Sequence, residues 1–177
     1  MRAAAALVPL TLAAALAACS SKPPDPTVQF ATVGFILQLP TGMQQALDAA
    51  EPGFRIITPD KFRSDVSQQA AMGSGTLSPL FATLGDFDGD GTKDAIVEGM
   101  VPGDSALHVV AIMNGKTPHA FEVTTYPVFD ADAVGVYLTS APAGKKGSFE
   151  IINYPDASYM YTYAGGQFTG TKISNGG

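Results

Sequence analysis

The stretch Asp86-Phe87-Asp88-Gly89-Asp90-Gly91-Thr92-Lys93-Asp94 constrains this chain more than any other. Its four aspartates stand at relative positions 1, 3, 5 and 9, and Gly91 occupies position 6, where the backbone has to turn sharply. Hard oxygen donors at alternate residues suit Ca²⁺, which takes six to eight oxygens at about 2.3–2.6 Å, and the Thr92 carbonyl at position 7 would complete the ring. The expected ligands are Asp86, Asp88, Asp90, Thr92 and Asp94. Clustered carboxylates without a cation repel one another by roughly 1 kcal/mol or more per pair at intermediate dielectric, so the pattern favours a metal over a bare polar turn.

The flanks decide what kind of metal loop this is. An EF-hand needs a helix on each side and a bidentate Glu at position 12, whereas position 12 here is Val97 and both flanks are β-like. The expectation is a strand–loop–strand clip in which one contiguous loop fills most of the coordination sphere. Phe87 then points away from the ion and into the core. The thirteen residues Gly85 to Val97 (GDFDGDGTKDAIV) resemble the calcium hairpin of integrin-like FG-GAP propeller blades and the related bacterial VCBS repeats. A propeller needs several similar blades, and no second DxDxDG occurs. The resemblance therefore implies one calcium hairpin in a single small domain. From Leu39 onward the chain also looks, more loosely, like small uncharacterised exported bacterial proteins with one short helix, one such hairpin and a β-meander.

The N-terminus carries a second constraint. Arg2 is followed by an Ala- and Leu-rich run to Ala18, and the chain's single cysteine, Cys19, comes next. One cysteine cannot form an internal disulfide, and the run is too short and too Ala-rich for a comfortable membrane span. Leu16-Ala17-Ala18-Cys19 resembles a bacterial lipobox, which implies cleavage before Cys19 and lipidation of its thiol. Residues 1–18 then form the signal peptide and residues 19–27 a lipidated tether, SSKPPDPT being too proline-rich for helix or ladder. Residues 28–177 form one β-rich domain. Ser20 after the cysteine is similar to the outer-membrane sorting class of two-membrane bacteria. Several acyl chains hold a membrane stably where one is marginal, so the expected partner is the membrane, reached through the anchor.

Hydrophobic residues at 46% against 15% charged exclude disorder throughout, while 19 Gly and 13 Pro call for many turns. The net charge of −6 and the absence of any basic run exclude nucleic acid as a partner. The clearest helix starts at Thr41, with Gln44 three residues on as a capping box. Met43, Ala46, Leu47 and Ala50 line one face, and Pro52-Gly53 stops it. Val28 to Leu39 suggests one strand or extended segment, and 64–79 a long surface loop with room for a helical turn near 66–72. Beyond Pro79, short strands follow one another, with Asn114-Gly115 as a hairpin turn and Gly165-Gly166 as another. The fold class is α+β: an antiparallel β-meander with one short N-terminal helix packed on the sheet and the calcium loop between two strands.

No catalytic constellation is evident, since nucleophile elbow, P-loop, dinucleotide fingerprint and His-Glu-x-x-His are all missing from the sequence. His108 and His119 flank the Asn114-Gly115 turn and could meet across a hairpin as a transition-metal pair, although ordinary strand histidines are commoner. Tyr159, Tyr161 and Tyr163 alternate on one strand face, a platform for a glycan or protein partner if exposed and plain packing if buried. The leading expectation is a non-enzymatic, lipid-anchored envelope protein with a structural calcium loop, serving binding or assembly. The alternative is a small hydrolase or hydrolase inhibitor acting on cell-wall or polysaccharide material.

Overall fold

The computed structural model describes residues 22–31, 34–68, 79–142, 145–155 and 157–173. The leader, Cys19 and most of the 64–79 stretch lie outside the described residues, apart from a helical turn at 64–68. Strands dominate: β1 (Thr27–Ala31), β2 (Gly34–Gln38), β3 (Arg55–Ile56), β4 (Ala82–Gly85), β5 (Asp94–Met100), β6 (Ala106–Met113), β7 (His119–Pro127), β8 (Val136–Ser140), β9 (Ser148–Asn153), β10 (Ala157–Ala164) and β11 (Gln167–Ile173). The helix α1 spans Thr41–Ala50, as its apolar stripe predicts. The fold is β-rich α+β with antiparallel sheets. Among the described residues no helix is long and apolar enough to cross a membrane.

The meander divides into two main sheets rather than one. The first has the order β3-β5-β6-β7, with β4 also paired to β5, and the second runs β11-β10-β9-β8. Direct pairing partners share a face, so Ile96 with Ala111 and Glu98 with Val109 look one way, while Val97 with Val110 and Gly99 with His108 look the other. The first face meets the second sheet, where Phe121 stacks on Phe168 of β11. The other face meets the α1 region: a side chain at Gly99 would collide with the Phe54 ring and the Arg55 carbonyl. The first sheet is thus covered on both sides. That is why β5 and β6 are buried along nearly their whole length, on both faces, with few polar residues among them.

Helix α1 buries Met43 and Leu47 completely or nearly so, and leaves Ala46 half-buried and Ala50 exposed. The expected capping box does not form. Pro40 occupies the N-cap without a side-chain cap, its carbonyl accepting the Gln44 backbone N–H at 3.0 Å, while the Gln44 side chain donates instead to Asp48 at 2.8 Å. A proline at the cap lets the main chain enter the helix directly and leaves Thr41 no reaching role.

One further expectation is corrected: Val28 to Leu39 holds two strands instead of one, β1 paired antiparallel with β2, with Val28 opposite Leu37 and Phe30 opposite Phe35. The connection between β6 and β7 takes residues 114–118 around the expected Asn114-Gly115 turn, and Asn114 there also contacts the aspartate loop. Gly165 and Gly166 do form the tight β10–β11 turn, with φ of 60° and 87°, values that disfavour any side chain.

Candidate metal centre

The loop sits between β4 and β5, which pair from Ala82↔Val97 to Gly85↔Asp94. Gly91 turns at φ 86°, in the left-handed region that glycine supplies. Phe87 is 7% exposed and points inward, as expected, meeting Phe149 and Phe168 edge-on at 5.9 and 5.8 Å between ring centroids. That aromatic anchor fixes one wall of the loop on the second sheet.

Oxygens of Asp86, Asp88 and Asp94 all lie within 4.8 Å of one another and form a cluster that could hold a metal ion. Asp86 accepts backbone hydrogen bonds from Gly89 at 2.9 Å and Gly91 at 3.1 Å, and Asp88 accepts one from Asp90 at 3.0 Å. Asp94 is fully buried at the start of β5 and accepts from the backbone N–H of Phe87 and of Asn114, each at 2.8 Å. Burial outweighs those bonds and pushes its pKa up to about 6. A cation at the cluster would offset that desolvation. The donor set is all hard oxygen and fits a hard divalent ion.

Asp90 and Thr92 make their own contacts at the far end of the loop. The Asp90 carboxylate is outside the three-aspartate cluster; hydrogen bonds from the Thr92 hydroxyl and, at 2.7 Å, from the Thr92 backbone N–H lower its pKa. Thr92 Oγ1 lies 2.6 Å from Asp90 Oδ1 and 2.7 Å from the Asn114 carbonyl oxygen, and its one proton serves one of them at a time. The far end of the loop is therefore fastened to the β6–β7 turn, a tertiary contact that no local pattern announces.

The N-terminal segment closes the same region. Asn114 Nδ2 donates to the Pro24 carbonyl at 3.0 Å, the Lys93 backbone N–H donates to Asp25 at 3.1 Å, and Pro26 is buried. Residues 24–26 are thus docked on the loop, and do not act as a free spacer.

The remaining candidates separate. His108 and His119 do not meet: His108 pairs opposite Thr125 at one end of the β6–β7 ladder, and His119 pairs with Met113 at the other and stacks on Phe121. Burial disfavours the protonated form of His108, but hydrogen bonds to Asp104 and Glu122 outweigh it and raise its pKa. Tyr161 is buried and stacked on Phe149, while Tyr159 and Tyr163 are half-buried against the core, so the three rings form no open platform. Sequence reasoning passed over Glu98, which is wholly buried with neither carboxylate oxygen hydrogen-bonded. Its only sequence signal is a lone Glu inside the run Ala95–Met100. No family model, curated protein or solved structure matches this chain.

Proposed function

We propose that this is a lipid-anchored envelope protein in which calcium, held by Asp86, Asp88 and Asp94, fastens a β-rich domain to its own anchored N-terminus for binding or assembly. The observation that carries the reading is the docking of Asp25 on Lys93 of the loop and of Pro24 on Asn114 of the β6–β7 turn beside it. Pro24 follows Cys19 by five residues, a span of at most about 18 Å even when extended. Lipidation at Cys19 would hold the metal loop close to the bilayer, and the metal would in turn rigidify the segment that leaves for the membrane. Calcium is the cation the hard-oxygen donor set favours. A structural role is favoured because Asp94 spends both carboxylate oxygens on backbone N–H groups. The separation of His108 from His119 removes one route to the hydrolase alternative.

The anchoring half of the proposal is tested by expressing the full chain in a bacterium and fractionating it. Wild type is expected with the membranes, with an acylated Cys19 at its N-terminus by mass spectrometry. Cys19→Ser should release the chain from the membranes. Wild type without acylation, or a Cys19→Ser chain that stays membrane-bound, would contradict lipid anchoring.

A further inference from the structure

On the opposite side of the first sheet, three elements bring metal-ligating groups together. His108 of β6, Glu122 of β7 and Glu51, the C-cap of α1, place ligand atoms within 4.8 Å of one another. The His108 side chain is 10% exposed. Its Nδ1 lies 2.8 Å from Glu122 Oε2, and its Nε2 lies 3.0 Å from Asp104 Oδ2 in the β5–β6 turn.

We propose that Nδ1 of His108, together with Glu122 and Glu51, binds a borderline divalent cation of the zinc class, distinct from the aspartate loop. Two features of the geometry favour a cation there. Asp104 engages the ring nitrogen on the far side, the outer carboxylate that typically orients a metal-bound histidine and fixes its tautomer. In addition, three carboxylates stand around one imidazole: Asp104 and Glu122 form ion pairs with His108, Glu51 joins them within 4.8 Å of His108 and Glu122, and among the described residues none of the three forms an ion pair with Lys or Arg. Even a protonated imidazole leaves that group with surplus negative charge beside a nearly buried ring, which a divalent ion would neutralise. One imidazole nitrogen with carboxylate oxygens is a donor set that Zn²⁺ accepts at about 2.0–2.2 Å and that Ca²⁺, which prefers oxygen, does not favour. Donors on a tetrahedral ion of that size stand about 3.4 Å apart, so small side-chain rotations close the site. Glu51 ties the end of α1 to the sheet in this arrangement, so the ion would link helix and strands.

The test is Zn²⁺ titration of the full-length chain in calcium-saturated buffer, followed by calorimetry and thermal melting. Wild type is expected to bind one Zn²⁺ and to melt higher with it. Asp104→Asn should weaken binding about tenfold or more through loss of the orienting carboxylate. His108→Gln should abolish it, and Glu51→Gln, at a half-exposed helix end where folding is little disturbed, should weaken it in the same direction. No Zn²⁺-dependent shift in wild type would overturn the proposal. So would an unchanged shift in Glu51→Gln and Asp104→Asn, which would place any bound zinc elsewhere and leave His108 an ion-paired imidazole.

Discussion

Asp94 Oδ1 accepts the backbone N–H of Asn114 at 2.8 Å, so the last aspartate of the loop is also the residue that holds the β6–β7 turn twenty residues away. Its other oxygen takes the Phe87 N–H inside the loop. Removing the carboxylate would leave two N–H donors without partners. Asp94→Ala is expected to destabilise the metal-free protein by about 2–6 kcal/mol, since each of the two buried unsatisfied donors costs about 1–3 kcal/mol. Asp86→Ala, at an exposed position, should cost far less without metal. Urea denaturation in chelator compares the two, and equal losses would contradict the structural role assigned to Asp94.

Leu47 is 2% exposed under the first sheet, whereas Thr41 has no cap to lose. Leu47→Ala should cost about 2–5 kcal/mol by cavity formation, and Thr41→Ala less than about 0.5 kcal/mol, below the usual loss of a working N-cap. Denaturant midpoints measured side by side decide this, and a large loss at Thr41 would restore the capping box.

Glu98 gives the protein a pH dependence of definite sign. Burial without a partner raises its folded pKa well above the ordinary 4.5. Its neutral form is tolerated in the core, so its contribution is fully present below about pH 4.5 and is lost as pH rises through the folded value. Glu98→Gln should therefore match wild type near pH 4 and become the more stable of the two as pH rises toward 8. Stability measured across that range, in chelator so that metal binding does not intrude, would show parallel curves if Glu98 were ionised and satisfied in the folded protein.

Gly99 lies in β5 where a Cβ would approach the Phe54 ring at 2.3 Å and the Arg55 carbonyl at 2.5 Å. Backbone cannot yield there without breaking the β3–β5 pairing. Gly99→Ala is expected to cost about 3 kcal/mol or more, at or above the upper range for overpacking, with a fall in melting temperature as the readout. A neutral outcome would mean that β3 is not held as described.

Local sequence carried much of this fold. The spacing of Met43 and Leu47 marked α1, Gly165-Gly166 marked the last hairpin, and the aspartate spacing marked the β4–β5 connection with Phe87 turned inward. What could not be read were contacts made by residues far apart in the chain. Asn114 was legible as a turn residue, but not as a contact of the aspartate loop, because its partners, Thr92, Asp94 and Pro24, are distant in sequence. Asp25 looked like tether for the same reason. Burial of both faces of β5 and β6 hid the division into two sheets, since an apolar run does not say what covers it. The three carboxylates around His108 come from α1, a turn and β7, a convergence that only the register of the ladder creates.

Calcium-dependent melting of the full-length chain is the decisive test of the proposed calcium clip at Asp86–Asp94. A ligand that binds only the folded state must raise its stability, by about 2.7 kcal/mol at a hundredfold excess over Kd. Wild type in millimolar Ca²⁺ is expected to melt higher than in chelator, Asp88→Ala to lose that shift, and Asp90→Ala, outside the three-aspartate cluster, to retain part of it. An unchanged melting temperature for wild type at millimolar Ca²⁺, or a full shift in Asp88→Ala, would rule out a calcium clip at these aspartates.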